Sequence, residues 1–122
     1  TMLSHHGDKD RGLLSYMELT DLPFIPRRMY YITKVPKGEI RGKHGHYKDE
    51  QVLFCVQGEV KVKLLSTTGT VIKVLKPGES VFLDRLVWSE QEYMTGEDIL
   101  LVLCSRAFDK SDYFYDKQEA LR

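Results

Sequence analysis

The chain has 122 residues, 18 of them Lys or Arg and 18 Asp or Glu, so its formal net charge is zero. This length favours one compact domain with one site, and the even spread of basic residues gives no support for binding nucleic acid or an anionic membrane surface. The longest apolar run, Ile99–Cys104, is far shorter than the roughly 20 residues of a membrane helix. We expect a cytoplasmic protein with no nucleic-acid partner and no membrane association.

The first residues of the chain show no structural pattern. Residues 1–7 are polar and without periodicity, although His5 and His6 are adjacent. Terminal segments of this kind are often mobile, and processing or cloning remnants share their composition. We predict a mobile or tag-like end over residues 1–7 and a single domain over residues 8–122.

Most of the remaining chain consists of short segments rich in Val, Ile, Leu, Phe and Tyr, separated by Gly, Pro, Asp or Ser. This composition and spacing predict strands. The clearest are residues 27–34, 51–57, 59–66, 70–76, 80–84 and 99–105. Only residues 116–121 have a helical pattern, and the segment is short. The sequence therefore predicts an all-β sandwich or barrel with a short C-terminal helix.

Alternation within one predicted strand indicates which of its side chains are buried. In residues 59–66, the apolar Val60, Val62 and Leu64 alternate with charged neighbours. This pattern is typical of a strand with one face in the core and one face in water.

Both cysteines lie in apolar strand-like segments. Cys55 and Cys104 are far apart in the sequence and form no CxxC motif. They are interpreted as buried thiols in a reducing compartment, with a disulfide or a redox role as the alternative.

The densest polar cluster precedes the predicted strand at residues 51–57. It reads Arg41-Gly42-Lys43-His44-Gly45-His46-Tyr47-Lys48-Asp49-Glu50. Period-two spacing in a strand places His44 and His46 on the same face, and Gly45 between them removes bulk from the opposite face. Paired imidazoles beside Arg41 favour a functional site, and surface or satisfied core histidines are the alternative.

The His-x-His pair, followed by Glu50 and then a glycine, resembles the first signature of the cupin superfamily, in which the two His and the Glu usually hold a metal. A second cupin signature begins with a Pro-Gly turn and ends in a histidine ligand, and residues 75–84 follow its pattern. Trp88 stands where that histidine falls, and an indole offers a metal no lone pair. We predict a site without metal or other cofactor; the alternative is a metal held by His44, His46 and Glu50.

A more specific resemblance extends from about residue 8 to residue 121. Its motifs are Asp10-Arg11-Gly12-Leu13-Leu14, Leu22-Pro23-Phe24, Arg27-Arg28-Met29-Tyr30-Tyr31-Ile32, Arg41-Gly42-Lys43-His44-Gly45-His46, Gln51, Gly58, Trp88 and Ser111-Asp112-Tyr113. In this order they are similar to the sugar nucleotide 3,4-ketoisomerases, WxcM-like cupins that act on dTDP-4-keto-6-deoxyglucose. Members typically read His-Ala-His-Lys where this chain has His44-Gly45-His46-Tyr47. We interpret Asp112 and Tyr113 of the last motif as packing and turn residues.

The resemblance implies a single-domain cupin barrel of the RmlC-like jelly-roll type. It also implies an isomerase that shifts the keto group of a dTDP-4-keto-6-deoxyhexose from C4 to C3, for the synthesis of deoxyamino sugars of a lipopolysaccharide or S-layer glycan. Family members resemble homodimers, and pairing of exposed N-terminal strand edges favours that state.

The catalytic roles follow from the same resemblance. His46 is the candidate for the base that removes the proton beside the carbonyl to give an enediol, and His44 orients it or moves the proton between the two oxygens. Histidine, with an ordinary pKa of about 6.5, exchanges protons near neutrality. Strand alternation places Arg28 and Tyr30 on one face, where the phenol can relay a hydroxyl proton.

Four further side chains are predicted to contact the substrate. Arg28 and Arg41 are expected to bind the diphosphate, because guanidinium groups bind phosphate oxygens in a bidentate manner. Lys48 follows directly after the position of the family lysine and is expected to take over its contact. Trp88 is predicted to form an apolar wall against the hexose, with a core aromatic as the alternative.

Three other functions use the same motifs. A metal-dependent cupin enzyme would use the paired histidines and Glu50 as ligands. A nucleotide-sugar 3,5-epimerase shares both the substrate and the barrel. A non-catalytic sugar-binding cupin needs the same cavity but no proton transfer.

Overall fold

Strands form along most of the chain because β-branched and aromatic side chains alternate with polar ones between glycine and proline turns. The computed structural model of the protein describes residues 3–122. Its strands are β1 (Ser4–Asp8), β2 (Gly12–Tyr16), β3 (Arg28–Ile32), β4 (Ile40–His46), β5 (Gln51–Gln57), β6 (Val60–Ser66), β7 (Gly69–Leu75), β8 (Ser80–Leu83), β9 (Trp88–Tyr93), β10 (Ile99–Cys104) and β11 (Tyr113–Phe114). Within the same residues, short 3-10 helices lie at Leu19–Asp21, Lys110–Asp112 and Lys117–Leu121.

The strands form two large sheets and one separate hairpin. One sheet has the strand order β3-β10-β5-β8, the other has the order β11-β4-β9-β6-β7, and β1 pairs with β2 alone. All of these pairings are antiparallel. The main core joins the two sheets, because Leu53 and Leu100 of the first contact the same cluster as Val62 and Tyr93 of the second. The predicted all-β architecture is confirmed.

Strand β5 is buried on both faces, which explains its unbroken apolar run. Leu53 and Cys55 belong to the main core between the sheets. Val52 and Phe54 face the other way, into a second cluster that includes Leu22 from the segment before β3. Burial of each such aliphatic or aromatic side chain contributes about 1.5–3 kcal/mol, so β5 is a rigid neighbour for the site beside it.

The predicted strands agree with the observed ones to within two residues at each end. The segment predicted at residues 27–34 is the strand Arg28–Ile32, and the segment predicted at residues 59–66 is Val60–Ser66. Val60 and Val62 are fully buried, whereas the two lysines that follow them are partly exposed. The predicted wet and dry faces of this strand are confirmed.

The short helix predicted at the C-terminal end is present, whereas the N-terminal end differs from expectation. The C-terminal helix is a 3-10 helix at Lys117–Leu121, and Asp116 caps it by accepting a hydrogen bond from the Gln118 amide at 3.0 Å. At the other end, where we predicted a mobile or tag-like segment over residues 1–7, strand β1 begins at Ser4 and pairs with β2. Residues 1 and 2 lie outside the described residues, and the division at residue 8 stays a prediction.

Cys55 and Cys104 are free, buried thiols, as predicted. Burial raises the pKa of Cys55 to about 11 and that of Cys104 to about 12, with Asp98 and Asp49 respectively adding to the rise. Within residues 3–122, no helix has the length and apolar character needed to cross a membrane.

Candidate active site

A bulge in β4 sets the direction of the first histidine of the pair. The pairing of β4 with β9 shifts register between Gly42 and His44, and Gly42 and Lys43 have positive φ angles of 86° and 58°. A Cβ atom at Gly42 would lie 2.9 Å from the carbonyl oxygen of Ser89, so glycine is needed there for close approach as well as for φ. Bulges of this kind redirect the next side chain, and here that side chain is His44.

The hydrogen bond of His44 determines which of its nitrogens carries the proton. Its Nδ1 lies 3.0 Å from the carbonyl oxygen of Gly42. Because a carbonyl oxygen only accepts, Nδ1 is the protonated nitrogen and Nε2 of the neutral ring keeps a free lone pair. Burial lowers the pKa of His44, although the Gly42 carbonyl opposes this change. The ring is therefore a neutral base near neutral pH.

The second histidine lies behind the first. His46 has only 3% of its surface exposed, and its ring is perpendicular to that of His44 at a centroid distance of 5.1 Å. Its Nε2 is buried and has no hydrogen-bond partner among residues 3–122. Burial and the neighbouring His44 lower the pKa of His46, while Asp49 and Asp112 act in the opposite direction. Both imidazoles thus favour the neutral form.

The C-terminal strand β11 completes this side of the site. Tyr113 pairs with His46 across the β11–β4 ladder. The centroid of its ring lies 4.4 Å from that of His46 and 5.0 Å from that of His44. From the sequence, Tyr113 is interpreted as a packing or turn residue, and only its place in the family motif indicates the site.

A cavity of about 370 Å³ opens between the two sheets in front of His44. It is lined by Arg28, Tyr30, Tyr31, Ile32, Arg41, Gly42, His44, Gln51, Leu53, Gln91, Leu100, Val102 and Tyr113. Four of the predicted site residues, Arg28, Tyr30, Arg41 and His44, are therefore brought together.

Aromatic rings hold the arginine of β3 in place. The guanidinium carbon of Arg28 lies 4.9 Å from the ring centroid of Tyr30 and 5.1 Å from that of Phe108. Such cation–π contacts orient the guanidinium group. Burial raises the pKa of Tyr30, as do Cys104 and Tyr113, although Arg28 opposes the change. The phenol therefore stays protonated and can donate a hydrogen bond or a proton.

Three predicted site residues lie outside the cavity lining. Trp88 is a core residue, 4% exposed, that packs with Phe114 and Ala120, and its indole N–H donates to Glu90 at 2.8 Å. Its position agrees with the alternative of a core aromatic, and Trp88 does not line this cavity. Lys48 is exposed, and its backbone amide donates to Asp112. His46 does not line the cavity, but its ring contacts those of His44 and Tyr113, which do.

The donor set does not fit the cupin metal site considered from the sequence. Among the described residues, no three His, Cys, Asp or Glu side chains are placed together as ligands. Glu50 does not line the cavity, and its neighbour Gln51 does. The amide nitrogen of Gln51 donates to Asp49 at 3.1 Å. A carboxylate ligand beside the two imidazoles is therefore missing from the lining.

Two packed antiparallel sheets enclose a cavity lined by one imidazole, three phenols and two guanidinium groups, an arrangement typical of a jelly-roll enzyme. The family model described as "FdtA: WxcM-like, C-terminal" matches residues 1–122. The chain belongs to this family.

Named relatives agree with that membership. The chain is 32% identical over 109 residues to a TDP-4-oxo-6-deoxy-alpha-D-glucose-3,4-oxoisomerase of Aneurinibacillus thermoaerophilus, a match that covers 87% of this chain and 77% of the relative. It is 37% identical to the solved structure of QdtA, a sugar 3,4-ketoisomerase from Thermoanaerobacterium thermosaccharolyticum in complex with TDP, with a TM-score of 0.88 over 98% of this chain and 88% of that one. A 3,4-ketoisomerase from Helicobacter canadensis is 29% identical, with a TM-score of 0.88 over 98% and 91% of the two chains. The fold is the predicted cupin-type jelly roll, and the chain is an isomerase of the 3,4-ketoisomerase class.

Proposed function

We propose that this enzyme converts a dTDP-4-keto-6-deoxyhexose to the 3-keto isomer by proton transfers through an enediol. The observation that carries the proposal is the neutral His44 ring, with its free Nε2 lone pair, in a cavity shared with Tyr30 and two arginines. Support for the substrate comes from a relative, since a histidine-to-asparagine variant of QdtA, 36% identical to this chain, was solved in complex with TDP-4-keto-6-deoxyglucose.

The reaction is a balanced double proton shift without net oxidation. A base takes the proton from C3, and the C–H electron pair forms a C3=C4 bond while the C4 carbonyl oxygen gains a proton. The enediol then loses the proton of the C3 hydroxyl, the C3 carbonyl forms, and C4 accepts a proton. One positioned base or acid of this kind typically contributes 10² to 10⁴-fold.

We assign the carbon base to His44, whereas the sequence pointed to His46. His44 lines the cavity and has its lone pair on Nε2, while His46 lies behind it and is only 3% exposed. A side chain that exchanges a proton with substrate must come within hydrogen-bond reach of it. Tyr30 stays protonated near neutrality, and we propose that its phenol passes a proton to and from the sugar oxygens.

The two cavity arginines are proposed to bind the diphosphate. Arg28 lies between Tyr30 and Phe108, and Arg41 lies on β4 before the bulge. Guanidinium groups bind phosphate oxygens through paired charge-assisted hydrogen bonds. This accounts for anion binding by a chain with no net charge. A contact from Lys48 stays a prediction.

Catalysis is proposed to need no metal or other cofactor. Trp88 at the position of the last cupin histidine gives its N–H to Glu90, and Glu50 lies away from the cavity. If chelator treatment abolishes turnover and added zinc, manganese or iron restores it, the metal-free mechanism is wrong.

We further propose that the protein is a cytoplasmic homodimer. The β1–β2 hairpin pairs with neither large sheet and exposes Leu13 and Leu14 by 67% and 60%, so it offers free strand edges and apolar surface to a second copy of the chain. Buried free thiols at Cys55 and Cys104 are compatible with a reducing compartment. Sedimentation velocity at micromolar concentration tests the dimer.

The activity is tested by proton NMR of dTDP-4-keto-6-deoxyglucose incubated with pure enzyme. We expect the 4-keto signals to be replaced by those of a 3-keto sugar. A product epimerised at C3 and C5 that keeps its 4-keto group would identify a 3,5-epimerase instead. Tight binding of the substrate without any product would identify a sugar-binding module.

A further inference from the structure

The ring of Tyr113 contacts both imidazoles of the site. It meets His46 at a centroid distance of 4.4 Å and an interplanar angle of 60°, and His44 at 5.0 Å and 51°. The two imidazoles are themselves perpendicular at 5.1 Å. The three rings form a closed triangle, in which each ring limits the rotation of the other two.

The position of Tyr113 is fixed by its neighbour in the chain. Asp112 is 6% exposed, and its two carboxylate oxygens accept hydrogen bonds from the amides of Lys48 and Asp49 at 2.9 and 3.0 Å. Its carbonyl oxygen accepts from the Tyr47 amide at 3.0 Å. Asp112 therefore ties β11 to the turn that follows the histidine strand, so that the Tyr113 ring is held against the pair without relying on its own hydroxyl.

Ring packing matters more here because hydrogen bonds are few. Nε2 of His46 is buried and has no partner among the described residues, and His44 has the one bond to the Gly42 carbonyl. An aromatic contact contributes about 0.5–1.5 kcal/mol beyond its buried area, which is enough to select one ring orientation among several.

We propose that Tyr113 is a positioning residue for the proposed ketoisomerisation: its ring holds His44 and His46 in their perpendicular arrangement and excludes water from them. The inference rests on the proposed function for its effect on turnover, and on the ring geometry alone for its effect on the imidazoles. The charged and titratable groups that face His46 are His44 on the same strand, Asp49, Asp112 and, from β3, Arg28. These groups are unchanged when the ring of Tyr113 is removed.

Three variants of Tyr113 separate the ring from the hydroxyl. Tyr113→Phe keeps the ring, Tyr113→Ala removes it, and Tyr113→Val removes it with a residue that suits a strand, in case the alanine variant does not fold. Imidazole pKa values are read by NMR of the substrate-free protein, and kcat and KM are measured across pH. We expect the ring-less variants to raise the pKa of His46 towards about 6.5, since water then reaches it.

The kinetic expectation follows from the loss of alignment. In the ring-less variants kcat should fall by about tenfold or more while KM changes less than about threefold, because misplacement of a catalytic group affects the transition state more than binding. Tyr113→Phe should keep kcat within about threefold of the wild type. The control is Phe82→Ala, which removes a 39% exposed ring from β8, in the other sheet from β11 and outside the cavity lining. It should leave the pH profile unchanged.

Two results would overturn the inference. One is unchanged imidazole pKa values and kcat in both ring-less variants. The other is an equal loss in Tyr113→Phe, which would make the hydroxyl the active part. If the wild type shows no ketoisomerase activity, the proposed function fails, and the NMR titration still decides whether the ring orders the imidazoles.

Discussion

Single residues decide the chemistry of this site, and the clearest case is the Gly42 carbonyl. By accepting from Nδ1 of His44 it leaves the other ring nitrogen free to act as a base. The bulge that places this carbonyl depends on glycine, because the Ser89 carbonyl leaves no room for a Cβ. A single backbone oxygen thus selects the tautomer that the proposed proton abstraction by His44 requires.

The proposed contacts of Arg28 and Arg41 with the diphosphate can also be tested one residue at a time. Replacing one guanidinium of a diphosphate site removes a charged hydrogen bond worth roughly 1.5–3 kcal/mol. Arg41→Ala and Arg28→Ala should each weaken dTDP binding by about ten- to a hundredfold in calorimetry. Arg122→Ala is the control, since Arg122 lies at the surface and pairs with Glu119. Unchanged affinity in both cavity variants would exclude these arginines from the diphosphate site.

Strand β11 and strand β4 fit together through one glycine. A Cβ atom at Gly45 would collide with the ring of Phe114, which is buried and packs with Trp88. Gly45→Ala should therefore push β11 away from β4, destabilise the protein by about 1–3 kcal/mol and displace Tyr113 from the histidines. Thermal unfolding measures the first effect, and kcat the second.

A second substitution, at Phe114 on β11, should relieve the collision that Gly45→Ala creates. Phe114→Leu replaces the ring with a smaller side chain that leaves room for the extra methyl group. The double variant should therefore recover part of the lost stability and part of the lost kcat. If Gly45→Ala is as stable as the wild type, the inference that Phe114 leaves no room for a side chain at position 45 is wrong.

Alternation of apolar and polar residues was sufficient to predict most of the sheet, but not all of it. Strand β9 was missed because its segment, Trp88–Tyr93, contains Ser89, Glu90, Gln91 and Glu92. These polar side chains are carried by a strand that lies between β4 and β6, where backbone pairing stabilises it. The hairpin of β1 and β2 was missed for a similar reason, since all of its residues are exposed.

The site was predicted in part, and the failures have a common physical cause. Local patterns and the family motifs indicated His44 and the two arginines, and the structure places all three in one cavity. The patterns and motifs left open whether Trp88 is a wall of the site or a core residue, and they did not indicate that Tyr113 contacts both histidines, because both depend on contacts between segments far apart in the chain. No sequence pattern shows that Tyr113 lies across the ladder from His46, or that Phe114 and Ala120 enclose the indole.

For the whole molecule, the buried imidazoles make stability depend on pH. His44 and His46 both have lowered pKa values in the folded protein. Above about pH 6.5 both are neutral in the folded and unfolded chain, so their burial costs nothing extra. As the pH falls below that value the unfolded chain takes up protons that the fold resists, and the free energy of unfolding decreases.

For each imidazole, the free energy of unfolding can decrease by at most about 1.4 kcal/mol per pH unit. Thermal midpoints measured from pH 7.5 down to 5 should therefore decline in the wild type and decline less in the His44→Asn, His46→Asn double variant. Asp98 does not interfere. Burial alone raises the pKa of Asp98, but hydrogen bonds from the Glu59 amide, Thr95 and Gly96 lower it. Protonation of Asp98 therefore changes the free energy of unfolding only at pH values below about 4. An equal decline in the double variant would contradict the neutral, buried state of the pair.

The central claim is that His44 takes the C3 proton of the nucleotide sugar. It is tested most directly by NMR of dTDP-4-keto-6-deoxyglucose in D₂O with the wild type, His44→Asn and His46→Asn. The wild type should form the 3-keto product with deuterium at C4, or with internal transfer of the C3 hydrogen to that carbon. His44→Asn should slow both product formation and C3 exchange by about 10² or more, while dTDP affinity stays within a few fold. His46→Asn should slow product formation and C3 exchange less than His44→Asn does. If His44→Asn still exchanges the C3 hydrogen at the wild-type rate, His44 is not the base, and loss of exchange in His46→Asn alone would return that role to His46.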